Sequence, residues 1–157
     1  MSEKLTHIND HGEAHMVDVS DREETVRTAT ASGKVLLSKE VLALISSGST
    51  PKGDVLATAR IAGIMGAKKT PELIPLCHPI SISSVSVELE VVEGGVSILS
   101  TVKIADRTGV EMEALTAVSI AALTIIDMVK ALDPSASISH VRVEEKDGGR
   151  NGHWKRS

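Results

Sequence analysis

The residues best placed for chemistry lie in the apolar stretch 110–132, VEMEALTAVSIAALTIIDMVKAL. Read as a helix, it puts Lys130 three residues after Asp127, so the two side chains are neighbours. At roughly 100° per residue, Glu113 falls within about 40° of Asp127, about four turns earlier. Thr116 and Thr124 share that broad face. A carboxylate beside an ammonium can act as an acid–base pair, each partner favouring the other's charged form while burial opposes it. The same spacing also fits an ordinary surface ion pair.

A second candidate is IPLCHP, residues 74–79. Pro75 and Pro79 stiffen the backbone around Leu76, Cys77 and His78, so the imidazole is presented with a defined aim. The alternative is a histidine satisfied by its own loop. Cys77 reads as a small apolar residue rather than a nucleophile. Lys52, in STPKGD, stands just before a helix start where backbone N–H groups attract anions. The spacing of a Walker loop is missing there. His7, His11 and His15 recur every four residues, but Gly12 and the polar surroundings argue against the helix a metal site would need. No metal site is expected.

These residues need a frame. Residues 24–37 alternate as a strand, with Gly33 marking a bulge. Ser38 caps a short helix that Gly48 closes, and a second helix runs over 54–67 from Asp54. Gly63 and Gly66 inside it suggest close approach by another backbone. Thr70-Pro71 begins a further short turn. Residues 80–105 read as a β-hairpin turning at EGG, with a one-residue slip near Ser83–Ser84. The long helix follows over 110–132, with Thr108 and Glu111 at capping-box spacing. Residues 138–146 form a last strand. The order β, two helices, β-hairpin, long helix, β matches an α+β fold of ferredoxin-like, split βαβ type: an antiparallel sheet with helices on one face. The chain is expected to be a single domain over 1–157, with an N-terminal arm (1–23) and a flexible basic tail (147–157).

There is no Phe or Tyr, and Trp154 is the only aromatic residue, so the core must be built from aliphatic side chains and stacking platforms for single-stranded nucleic acid are missing. The net charge of −4 argues against general nucleic-acid binding. Charge is uneven: residues 1–24 carry seven acids against Lys4 and Arg22, and residues 140–157 carry five bases against three acids. A basic end can meet an anionic ligand or simply be solvated. One cysteine permits no internal disulfide, and neither a signal core nor a long unbroken apolar run is visible. Both fit a cytoplasmic protein outside the membrane.

Four stretches, 5–20, 52–80, 108–131 and 144–149, carry a resemblance that runs over nearly the whole chain. KGDVLATARIAGI, IPLCHP and TGVEMEALTA, in this order, are similar to the MoaC family of cyclic pyranopterin monophosphate synthases. The resemblance implies conversion of a cyclised dihydroguanosine triphosphate, supplied by a radical SAM enzyme, to cyclic pyranopterin monophosphate with release of pyrophosphate. It places Asp127 and Lys130 as the catalytic pair, with Lys52 and His78 in the same pocket. Leu76, Cys77, His78, Met112 and Glu113 match segments that touch substrate. Arg27 and Lys146 match basic positions near the triphosphate, and Lys52 is a further cation for that charge. It also implies a homohexamer, a trimer of dimers with sites at subunit boundaries. No cofactor is implied, and assistance by Mg²⁺ is written in no residue. The ending departs from the family at Asp147, where a small hydroxyl residue is expected.

Two other classes fit the same residues. One is a nucleotide- or metabolite-sensing module in which Asp127–Lys130 is structural. The other is a scaffold for cofactor assembly. Clustering of Lys52, His78, Glu113, Asp127 and Lys130 in one cleft would favour the enzyme; dispersal would favour the module.

Overall fold

The structure is a computed structural model that describes residues 6–157; the first five residues of the arm lie outside the described residues. Alternation decides the central strand. In β1 (Thr25–Leu36) Ala29, Ala31, Gly33 and Val35 point to the core, while Thr30, Ser32 and Lys34 point away. β1 pairs antiparallel on one side with β3 (Gly95–Asp106) and on the other with β4 (Ser137–Asp147). β2 (Ser84–Val92) pairs with β3 through a tight turn at Gly94, whose φ of 76° suits glycine. The sheet order is β2-β3-β1-β4-β5, where β5 is the short Trp154–Lys155. This is the expected ferredoxin-like arrangement with one added strand. The last residues do not trail as a tail: Lys146 pairs with Trp154, and Arg156 Nε donates to the Val143 carbonyl at 2.8 Å.

The β1–β4 register shifts between Ser32 and Lys34, which places the bulge at Gly33. A Cβ on Gly33 would stand 2.7 Å from Val118 of the helix above. Of the two slip residues of the hairpin, Ser83 is a lead-in whose N–H bonds the Lys103 carbonyl, and Ser84 begins the strand proper.

Local capping places the helices. Ser38 caps α1 (Lys39–Ser47) through the Val41 N–H, and Gly48 ends it at φ 69°. Asp54 caps α2 (Val55–Lys68) through the Ala57 N–H at 2.9 Å. α3 (Thr70–Leu73) is the single turn after it. α4 (Glu111–Val129) lacks the anticipated capping box. It starts at Glu111 after Val110 with no side-chain cap, because the Glu111 carboxylate accepts instead from Lys146 at 3.0 Å. A cation offers that carboxylate a stronger partner than a helix N–H. By length and composition α4 matches a membrane span, yet Ala114, Ala117, Val118, Ala121 and Ile125 pack into the core with the sheet.

α2 and α4 lie over the same face of the sheet and run antiparallel. With no aromatic side chains to space them, they meet through small residues. A Cβ on Gly63 would lie 2.9 Å from the Ala117 carbonyl and 3.3 Å from the Ala121 Cβ; on Gly66 it would meet Ile120 at 2.7 Å. Gly63→Ala therefore gains up to about 1 kcal/mol in helix propensity and loses about 1–3 kcal/mol by overpacking. The urea midpoint of Gly63→Ala should fall below that of the native chain. A rise would mean the two helices are not in backbone contact.

Candidate functional site: two clusters along one helix

The sequence-picked residues gather at the two ends of α4. At its C-terminal end Asp127 is held by two lysines. Lys130 Nζ donates to Oδ1 at 2.7 Å, one turn along the same helix. Lys52, in the loop before α2, donates to the Asp127 carbonyl at 3.0 Å and to Oδ2 at 3.3 Å. The antiparallel course of α2 brings Lys52 there. Hydrogen bonds from Lys130 and then Lys52 hold the Asp127 carboxyl below the usual carboxylate range. All three side chains are more than half exposed, so within one chain the group is an open surface triad.

The other end of α4 opens into a cavity of about 240 Å³ lined by Leu76, Cys77, His78, Met112, Glu113 and the arm residues Val17, Val19 and Arg22. The rigid IPLCHP loop supplies one wall and the first turn of α4 another. His78 Nε2 lies 2.7 Å from the Val17 carbonyl. A carbonyl only accepts, so Nε2 carries the proton and Nδ1 is the nitrogen left for chemistry. Glu113 is 3% exposed. Burial, reinforced by the charge of Glu111, pushes its carboxyl up to about 7 against its own backbone hydrogen bond. Burial, then the Glu113 charge, also pushes the Cys77 thiol up, which disfavours the thiolate a nucleophile requires.

A second cavity, of about 300 Å³, adjoins the first through Arg22, Gly109 and Glu111. Arg27, Lys146 and Arg150 line it with Arg22, against Glu111 and Asp147. Four cations converge there from the arm, β1, β4 and the segment beyond β4. Arg22 and Arg150 escaped the sequence reading. Arg22 is one of two bases in an acidic arm, and Arg150 was legible only as part of the basic ending.

Within one chain, then, Leu76, Cys77, His78, Met112, Glu113, Arg27 and Lys146 share one continuous cleft. Asp127, Lys130 and Lys52 do not. Within a single chain Lys52 and His78 lie apart, because α4 rises about 1.5 Å per residue and separates Glu113 from Asp127 by about 21 Å. Helical phase puts residues on one face without bringing them together along the axis.

The raised carboxyl of Glu113 sets a stability test. A group whose folded value lies above its unfolded value leaves the fold unpenalised below about 4.5 and progressively penalised as pH rises to about 7. Glu113→Gln mimics the protonated acid. In dilute, monomeric protein it should match the native chain near pH 4 and exceed it by about 3 kcal/mol near pH 8. Denaturant unfolding across this range checks it; a difference independent of pH would contradict a buried neutral Glu113.

A family model described as the MoaC family matches residues 16–149. The cyclic pyranopterin monophosphate synthase of Streptomyces avermitilis is 64% identical over 155 residues, 99% of this chain and 91% of its own. A Nocardioides sp. protein of the same name is 60% identical over 156 residues, 98% of this chain and 96% of its own. A Mycobacterium bovis protein named cyclic pyranopterin monophosphate synthase 2 is 55% identical over 155 residues, 99% of this chain and 93% of its own. With the family model spanning most of the chain and these relatives covering nearly all of it, the chain belongs to the MoaC family.

Proposed function

We propose that this protein is a cyclic pyranopterin monophosphate synthase of molybdenum cofactor biosynthesis, a lyase-type enzyme. It would rearrange (8S)-3′,8-cyclo-7,8-dihydroguanosine 5′-triphosphate, made by an upstream radical SAM enzyme, and release pyrophosphate. The observation that carries this reading is the pair of adjoining cavities. One is walled by Leu76, Cys77 and Met112 and holds a buried acid and an imidazole, which suits a heterobicyclic ring. The next is lined by Arg22, Arg27, Lys146 and Arg150, which suits the attached triphosphate. The shared wall lets one ligand lie across both.

The chemistry divides accordingly. Opening and reclosing the ring system moves protons at several heteroatoms, work for His78 through Nδ1, for Glu113 and for the Asp127–Lys130–Lys52 group. Closing the cyclic phosphate forms a bond from a ribose oxygen to the α-phosphorus. The bond to the bridging oxygen breaks, and pyrophosphate departs with its charge offset by the basic cavity. No resident cofactor enters this proposal, and Mg²⁺ would be a companion of the phosphates.

The separation of the lysine triad from the cleft is the observation that favours the rival reading, a binding module without turnover. Self-association answers it. Ile61 and Met65 of α2 and Leu123 of α4 are exposed apolar side chains on the outer surface of the helix layer. A two-fold axis between Glu113 and Asp127, with two copies antiparallel along α4, would carry each triad to the other copy's cleft. Lysines arriving there would draw Glu113 back towards its ordinary range. A homohexamer built from such dimers, working in the cytoplasm, completes the proposal.

Turnover of the cyclised triphosphate, followed by pyrophosphate release beside pyranopterin formation, tests it. The native chain should form product, and Lys130→Ala should lose about a hundredfold or more in kcat, the scale of a lost proton-transfer group. A native chain that binds the triphosphate and forms no product would establish the binding module instead.

A further inference from the structure

We propose that the Gly148–Gly149 turn is a positioning device for Arg27, fixing its guanidinium to receive an oligophosphate. The inference rests on the reading of the basic cavity as the triphosphate site. The β1–β4 ladder ends at Thr28 and Asp147. Beyond it the backbone turns through two left-handed residues, Gly148 at φ 90° and Gly149 at φ 78°. The turn lays the chain across the start of β1, and the two glycines meet different things there. A Cβ on Gly148 would run into the Val26 carbonyl, which is main chain and cannot yield cheaply. A Cβ on Gly149 would stand 2.5 Å from Arg27 Nη1, 2.9 Å from Cζ and 3.4 Å from Nη2. Gly149 is bare where the guanidinium lies.

The other side of the same group is fixed by main chain. Arg27 Nε donates to the Asp106 carbonyl at 3.1 Å. The donors left for a ligand are those of Nη1 and Nη2, the planar pair that matches two oxygens of a phosphate. An arginine so held has already lost much of its rotamer freedom and gives up less on binding. Gly148 serves the fold, and Gly149 serves the aim of one side chain. Because the group in the way at Gly149 is the far end of a flexible side chain, a methyl there displaces Arg27 and leaves the sheet intact.

Gly152 supplies the control, with a left-handed φ of 61° and nothing within 4 Å of its would-be Cβ. Gly149→Ala should weaken binding of inorganic pyrophosphate, and raise KM for the cyclised triphosphate, about tenfold while kcat changes less than about threefold. Gly152→Ala should stay within about twofold on both. Arg27→Lys should weaken pyrophosphate binding by itself, and adding Gly149→Ala to it should cost nothing more, since no guanidinium remains to be displaced. Equal effects of Gly149→Ala and Gly152→Ala, or an undiminished Gly149→Ala cost in the Arg27→Lys background, would overturn the proposal. Failure of the underlying reading looks different: the native chain would bind no pyrophosphate. The cradle is then read directly from the Arg27 Nε–H resonance, which should be protected in the native chain and exchange-broadened in Gly149→Ala; an unchanged resonance overturns it.

Discussion

The contact between α2 and α4 is the constraint on which the rest depends. A chain with no Phe or Tyr cannot hold two helices apart with large rings, so they close until Gly63 touches the Ala117 carbonyl. The antiparallel course of α2 against α4 delivers Lys52 to Asp127 at one end of this close-packed pair. At the other end, α3 and the IPLCHP loop bring His78 and Cys77 to Glu113. The same burial that lets the helices pack leaves Glu113 in a poorly solvated place and shifts its carboxyl upward. Packing, placement and acidity thus have a common origin in small residues at one interface.

Sheet and helices divide the labour. β1 and β4, with the segment after β4, supply Arg27, Lys146 and Arg150, while α4 and the IPLCHP loop supply Glu113 and His78. Glu111, at the start of α4, binds Lys146 and borders both cavities, so it joins the two halves. It also explains why the helix forgoes a side-chain cap.

What could be read from the sequence was set by range. Ser38, Gly48 and Asp54 announce helix ends because a cap bonds residues three or four positions away. Asp127 with Lys130 was legible for the same reason, and the alternation of β1 and β2 gave the ferredoxin-like order. Thr108 and Glu111 had the right spacing for a cap, but spacing is blind to Lys146, which lies 35 residues away and takes the carboxylate. Lys52 is 75 residues from Asp127, and no periodicity reports such a meeting. The basic end read as a tail because two residues of strand, Trp154–Lys155, are too few to show alternation. Helical phase put Glu113 and Asp127 on one face, and the same reading set them about four turns apart, which is the separation one chain shows.

The central claim is that a second copy completes the site, joining the Asp127–Lys130–Lys52 group of one chain to the His78–Glu113 cleft of another. The direct test is complementation. His78→Ala and Lys130→Ala proteins, each inactive alone, are unfolded together, refolded and assayed for pyranopterin formation. If sites are shared across a two-fold, mixed dimers contain one doubly altered site and one intact site, and activity should return to about a quarter of native. Mixed assemblies that form and yet show no activity would contradict the account and place all the chemistry within a single chain.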